Sequence, residues 1–283
     1  MAGYEIYKAV ADEGMAAELA ATTSPFTIEV RFVGGLTTKQ KAAFKKAADR
    51  WANVIVGDLP SVMVDGEVID DVVIMAQGSA IDGPGKILGQ AGPTHIRPQN
   101  AGKAAFLPAK GVMAFDTADL KAMETKGTLN DVITHEMGHV IGIGTVWKLK
   151  GLLKGEGTAN PTFSGKGASK EYGALTGVKT KPVPVENNGG PGTRDSHWRE
   201  AVFHNELMTG FVGAAGNPMS RVTVASLADM GYVVDLTKAE PYALPNLTEL
   251  AEAGMLMASM QDGESGMVLP SVPLVLLPEA LKV

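Results

Sequence analysis

Between Ile133 and Thr145 the chain reads ITHEMGHVIGIGT: two histidines four residues apart, a glutamate directly after the first, and two glycines near the end. Leu129, Val132, Ile133, Met137, Val140 and Ile141 recur through it at helical spacing, and Gly142 and Gly144 are the permissive residues at which a helix stops. The spacing predicts a helix that starts near Thr128 and buries one face. On it His135 and His139 share a side about 6 Å apart along the axis, a span from which two imidazoles converge on one ion. Glu136 sits one position round, beside the ion and not on it. An H-E-x-x-H pattern in this context points to zinc, with the imidazoles as ligands and the glutamate as general base. Zinc brings the pKa of a bound water towards about 7. One carboxylate can take that water's proton and hand it to a leaving amine, which is amide hydrolysis with no covalent intermediate.

The rest of the composition narrows the chemistry. The chain has five histidines and no cysteine in 283 residues, so it can form no disulfide, thiolate ligand or cysteine nucleophile, and a metal must rest on His, Asp or Glu. With 25 Lys+Arg against 31 Asp+Glu, a net charge of -6 and no basic run, nucleic acid is excluded as a partner class. A hydrophobic fraction of 45% over this length suits one large domain or two tightly packed subdomains. No transmembrane segment is expected, because spanning takes roughly 20 apolar residues. The apolar C-terminal stretch MVLPSVPLVLLPEALKV is interrupted by Pro270, Pro273 and Pro278, and reads as an extended arm over 241–283 packed along its own domain. Residues 1–25 carry Glu5, Asp12, Glu13 and Glu18 against Lys8, without the apolar core of a recognisable signal peptide, and read as an N-terminal extension.

Upstream of the motif the pattern is α+β. FTIEVRFV (26–33) alternates apolar and polar residues and is expected to open a sheet. Thr37 and Gln40 form a capping-box signature, after which Phe44, Ala47, Ala48, Trp51, Val54 and Ile55 recur at helical spacing as far as Gly57. DDVVIMAQ, KILGQAGPTHIR and KGVMAFD read as three further strands between Gly/Pro turns. The expected catalytic halves are 26–144, a mixed sheet with a backing helix and the zinc helix, and 145–240, which is irregular. Within the second half, Gly-rich residues 146–196 read as a long loop, and Ser220 is placed to cap a short helix with Val222, Leu227 and Met230 in the core.

A catalytic zinc keeps three protein ligands and one open position. A third histidine on the motif helix would fall at 145, which is Thr145, so the third ligand comes from elsewhere; His95, His197 and His204 remain. HEMGHVIGIGTVW, followed after a long insertion by SHWRE and NELMTG, resembles the leishmanolysin-like family of zinc endopeptidases in the metzincin clan. The resemblance covers roughly Phe26 to Asp235. It implies a metzincin-like fold with a twisted N-terminal sheet, His197 as third ligand, Met208 as the methionine of a Met-turn beneath the metal, protein or peptide substrates, and a secreted or extracellular location. Two features depart from the family: there is no cysteine for thiol-switch latency, and the aromatic after Met208 is Phe211, which has no hydroxyl to assist catalysis.

Rival readings attach to single residues. Asn205-Glu206 offers the downstream Asn-Glu that a second zinc-peptidase clan pairs with H-E-x-x-H, but Gly210, Gly213 and Gly216 disfavour a helix running on from Glu206. His204 is a second rival to His197. His95 reads as a satisfied surface histidine, with the resemblance placing it towards the cleft rim; Trp198 reads as core filler beside His197; Asp131 favours the helix dipole; Asp116 and Asp119 form no calcium loop. At the level of function, the alternatives are a zinc-binding scaffold without turnover and a zinc amidohydrolase acting on a non-protein peptide.

Overall fold

The computed structural model describes residues 4–81, 83, 89–190, 192–210, 215–246, 267–268 and 272–282. Alternation buries Ile28, Val30 and Phe32 on one side of β2 (Thr27–Gly34), as its sequence predicts. The sheet, however, starts one strand earlier. Residues read as an extension contain β1 (Glu5–Val10), which pairs antiparallel with β2 from Glu5↔Phe32 to Val10↔Thr27, and α1 (Glu13–Ala20), capped by Asp12. As an edge strand, β1 leaves Ile6 and Val10 exposed and buries Ala9, so its sequence carries only a weak periodic signal.

The capping box at Thr37 and Gln40 is formed, and α2 (Thr38–Ala52) buries Phe44, Ala47, Ala48 and Trp51; Val54 and Ile55 are buried just beyond its end. A hairpin of β3 (Val62–Val64) and β4 (Glu67–Ile69) precedes the three expected strands, β5 (Val72–Ser79), β6 (Gly89–Ile96) and β7 (Pro108–Asp116). The sheet order is β1-β2-β5-β7-β6, with β2, β5 and β7 parallel and β6 antiparallel to β7. After α3 (Thr117–Lys126) comes α4 (Leu129–Val140), the motif helix. The helix α2 packs against β1 and β2, α4 against β6 and β7, and the two helices against each other. Gly111 permits that approach: a Cβ there would lie 2.5 Å from Cγ1 of Val140 and 2.8 Å from the carbonyl oxygen of Gly92.

The segment 146–196 is not a structureless loop. It holds β8 (Leu153–Lys154), β9 (Thr162–Phe163), α5 (Lys166–Leu175) and β10 (Val183–Pro184), with the three strands in one antiparallel sheet. Phe163, Ala168, Tyr172, Val183 and Val185 carry it into the main core. Scattered apolar residues among glycines conceal this, because two-residue strands show no period. A short α6 (Glu200–Phe203) and α7 (Arg221–Met230) follow; Ser220 caps α7, whose Val222, Leu227 and Met230 are buried as expected, and α5 packs on it.

Of the C-terminal arm, 247–266 and 269–271 lie outside the described residues. The strands β11 (Met267–Val268) and β12 (Leu274–Val275) run parallel to β6 on its outer edge. Leu276 N–H donates to the Ile96 carbonyl at 2.9 Å and Lys282 N–H to that of Ser61 at 2.8 Å, so residues 272–282 do lie along their own domain. Among the described residues no helix is long and apolar enough to cross a membrane.

Candidate metal centre

The helix α4 is buried along nearly its whole length, and its two histidines project towards a third from a distant loop. His135 Nδ1 lies 2.6 Å from the Leu207 carbonyl, His139 Nδ1 2.9 Å from that of Ile143, and His197 Nδ1 2.9 Å from that of Thr193. A carbonyl oxygen only accepts, so each Nδ1 carries the proton and each Nε2 carries a lone pair. Those Nε2 atoms face one another: 3.0 Å for His135–His139, 3.1 Å for His135–His197 and 2.9 Å for His139–His197. Three acceptors turned inward with no proton among them repel one another unless a cation stands between them. Such a set, neutral imidazoles each oriented by a hydrogen bond at the far nitrogen, could hold a metal ion.

Electrostatics point the same way. Burial brings the pKa of His135 down to about 4 and, with the neighbouring His135, that of His139 to about 3; burial and both other rings hold His197 well below the ordinary histidine value. All three are therefore neutral at pH 7, the form that ligates. Glu136 is 4% exposed, and burial alone pushes its carboxyl up to about 8, with no donor among the described residues to offset it. A carboxyl raised in this way is mostly protonated at pH 7, and a cation held by the three imidazoles would lower its pKa again.

His197 reaches this position because the backbone leaves α4 on glycine. Gly144 has φ +74°, and a Cβ on it would lie 2.0 Å from the Ser196 carbonyl oxygen, so the chain carrying His197 crosses the helix exit in direct backbone contact. Trp198, fully buried, stacks on Trp147 with centroids 4.7 Å apart and donates its Nε1–H to Thr223 Oγ1 at 2.8 Å. It is thus both core filler and a fixed neighbour of His197. Substituting Ala at Gly144 is expected to destabilise the protein by more than about 1 kcal/mol, since it adds a left-handed penalty to a backbone clash. A thermal melt checks this; an unchanged midpoint would contradict the contact.

Met208 packs beneath the motif helix: a Cβ on Gly138 would meet its Sδ at 2.8 Å and Cε at 2.9 Å, and Trp51 Cζ2 at 3.0 Å. The Met208 carbonyl accepts from Trp198 N–H at 2.9 Å. The turn at 206–209 therefore contacts both α4 and Trp198, the residue that follows His197.

Other residues fall elsewhere. His204 turns away to Glu200, Nδ1 to Oε1 3.5 Å, and His95 lies on β6 with Nδ1 3.1 Å from Thr94 Oγ1. Glu206 is buried and accepts hydrogen bonds from Met208, Ser220 and Thr223. Asp131 does more than favour the helix dipole: it accepts from Gly216 N–H at 2.7 Å and faces Arg50 at 3.7 Å, tying the start of α4 to α2 and to the chain beyond the turn. Asp116 caps α3 through Ala118 N–H. Phe211 and Gly213 lie outside the described residues. A second group within reach of one ion is Asp58, Asp70 and Asp71; Asp58 is exposed, Asp70 accepts from Ser61, and Asp71 accepts from Thr27 and Leu59. Sequence reasoning missed the carbonyls of Ile143, Thr193 and Leu207, which no side-chain pattern reveals, and the part played by Thr223, which looks like an ordinary helix residue.

The family model for leishmanolysin, an M8 peptidase family, matches residues 103–249, just over half of the chain. The chain belongs to the leishmanolysin family. A search of curated proteins finds no match. The leishmanolysin match runs from the β6–β7 connection to beyond α7, so it contains α4, the three histidines and the turn at Met208, whereas β1 to β6 precede it. Membership makes the chain a peptidase, one of a family of metallopeptidases, and protein or peptide chains its substrates.

Proposed function

We propose that the chain is a zinc-dependent endopeptidase in which His135, His139 and His197 hold the metal, Glu136 is the general base, and Met208 forms the Met-turn. The observation that carries this is the convergence of three Nε2 lone pairs within 3.1 Å of one another, each Nδ1–H being committed to a carbonyl. When bound, zinc supplies Lewis-acid polarisation of the scissile carbonyl and acidifies water. The protein's own residues do the rest. Glu136 takes a proton from the attacking water on a carboxylate oxygen and delivers it to the amine nitrogen as the C–N bond breaks. The buried rings keep the donor set rigid, and Met208 gives them an apolar floor. The catalytic unit in this reading comprises 26–144 and 145–240, and an extracellular location belongs to the same reading.

Purified protein is expected to contain about one zinc per chain and to cleave an unfolded protein at internal bonds. Chelation should abolish cleavage and added zinc restore it. A chain that binds zinc and leaves a diverse peptide library intact would be the scaffold of the alternative reading, and cleavage confined to non-protein peptides would make it an amidohydrolase.

A further inference from the structure

We infer that Glu206, the residue whose sequence context marks it as a rival ligand, is a positioning residue that locks the metal centre from outside. The inference rests on the three-histidine reading above.

Glu206 is 1% exposed, yet its carboxylate is fully engaged. One oxygen accepts from Met208 N–H at 2.6 Å. The other accepts from Ser220 N–H at 3.0 Å, Ser220 Oγ at 2.7 Å and Thr223 Oγ1 at 2.5 Å. It therefore bridges two elements: the 206–209 turn and the first turn of α7. A buried carboxylate is costly without donors, and four of them, two from backbone, make this bridge specific in direction as well as strength.

Each end leads to a histidine. On the turn, the carbonyl of Leu207, between Glu206 and the residue it grips, accepts the Nδ1–H of His135 at 2.6 Å. On α7, the Thr223 hydroxyl that donates to Glu206 accepts the indole N–H of Trp198, the residue following His197. The turn and Trp198 are also joined directly, Trp198 N–H to the Met208 carbonyl at 2.9 Å. The path Trp198–Thr223–Glu206–Met208 is thus closed on itself, with His135 held from one side of the ring and His197 adjoining the other. Glu206 touches neither the histidine nitrogens nor the reacting atoms, and its effect runs through the orientation of two rings. Partners one step removed from a metal are worth about 10- to 100-fold in affinity.

Glutamine at 206 cannot substitute, because its amide nitrogen would face donors on one of the two elements. Glu206→Gln is expected to weaken zinc binding about 10- to 100-fold in competition with a chromophoric chelator, and to change the visible absorption of the cobalt-substituted protein, which reports ligand geometry. In case that variant folds poorly, Thr223→Val and Thr223→Ser form a second pair. Valine removes the relay and should shift affinity and cobalt spectrum in the same direction as Glu206→Gln, to a smaller extent, while serine keeps the hydroxyl and should restore both. Variants that lower the melting temperature of the metal-free protein but leave zinc affinity and cobalt spectrum at wild-type values would show a purely structural carboxylate and overturn the inference. So would a Thr223→Ser protein as impaired as Thr223→Val. A wild-type chain that holds zinc tightly and cleaves no peptide removes the proposed function and leaves this inference standing; a wild-type chain that holds no zinc removes both.

Discussion

His197→Ala is expected to purify essentially free of zinc and inactive, while His204→Asn retains both metal and turnover. The reason lies in where the two side chains point. His197 closes the triangle of Nε2 atoms at 2.9 and 3.1 Å, whereas His204 faces Glu200. Removing one of three ligands should weaken binding by more than the roughly 100-fold that a supporting partner can cost. Asparagine is chosen at 204 because His204 has φ +53°, where it is better tolerated than alanine. Metal content by mass spectrometry under native conditions and a peptide-cleavage assay settle the comparison. Full zinc occupancy and normal turnover in His197→Ala would overturn His197 as the third ligand and transfer that role to another group.

The second large effect is expected at Glu136. Glu136→Gln keeps the volume of a buried side chain and leaves the three imidazoles untouched, so zinc content and fold should stay at wild-type levels. Without a carboxylate to accept the proton of the attacking water, the rate of peptide hydrolysis should fall by roughly 10² to 10⁴. The loss should appear in kcat and kcat/KM together, because the interaction matters only in the transition state. A variant that cleaves as fast as the parent would sink the general-base assignment, and one that loses its zinc would show that the carboxylate holds the metal.

Much of the site was legible because helical spacing is a short-range property. His135, Glu136 and His139 stand within five residues, and a single turn of α4 fixes their relation whatever surrounds it. The capping box of α2, the alternation in β2 and the cap at Ser220 are local in the same sense, and each formed where its residues stand. His197 was legible only by resemblance: 58 positions separate it from His139, and no periodicity spans an insertion. Residues 146–196 read as a loop because their strands are two residues long and show no period, and glycines punctuate the stretch around the one helix, α5, that packs on α7. The strand β1 escaped for a related reason, since an edge strand gets its order from a neighbour's hydrogen bonds.

By itself, then, the sequence determined the helix that carries the H-E-x-x-H pattern, the nature of its donor atoms, the exclusion of thiol chemistry, and the strands and helix that support α4. Tertiary structure alone decided that the three Nε2 atoms meet within 3.1 Å, that three backbone carbonyls set all three tautomers, and that the Glu206 carboxylate is taken up by Met208, Ser220 and Thr223. The physical reason is that a backbone carbonyl has the same chemistry at every residue, and a carboxylate's role depends on which donors surround it. Only the folded chain brings Leu207, Thr193 and Ile143 to the imidazoles, and Ser220 and Thr223 to Glu206.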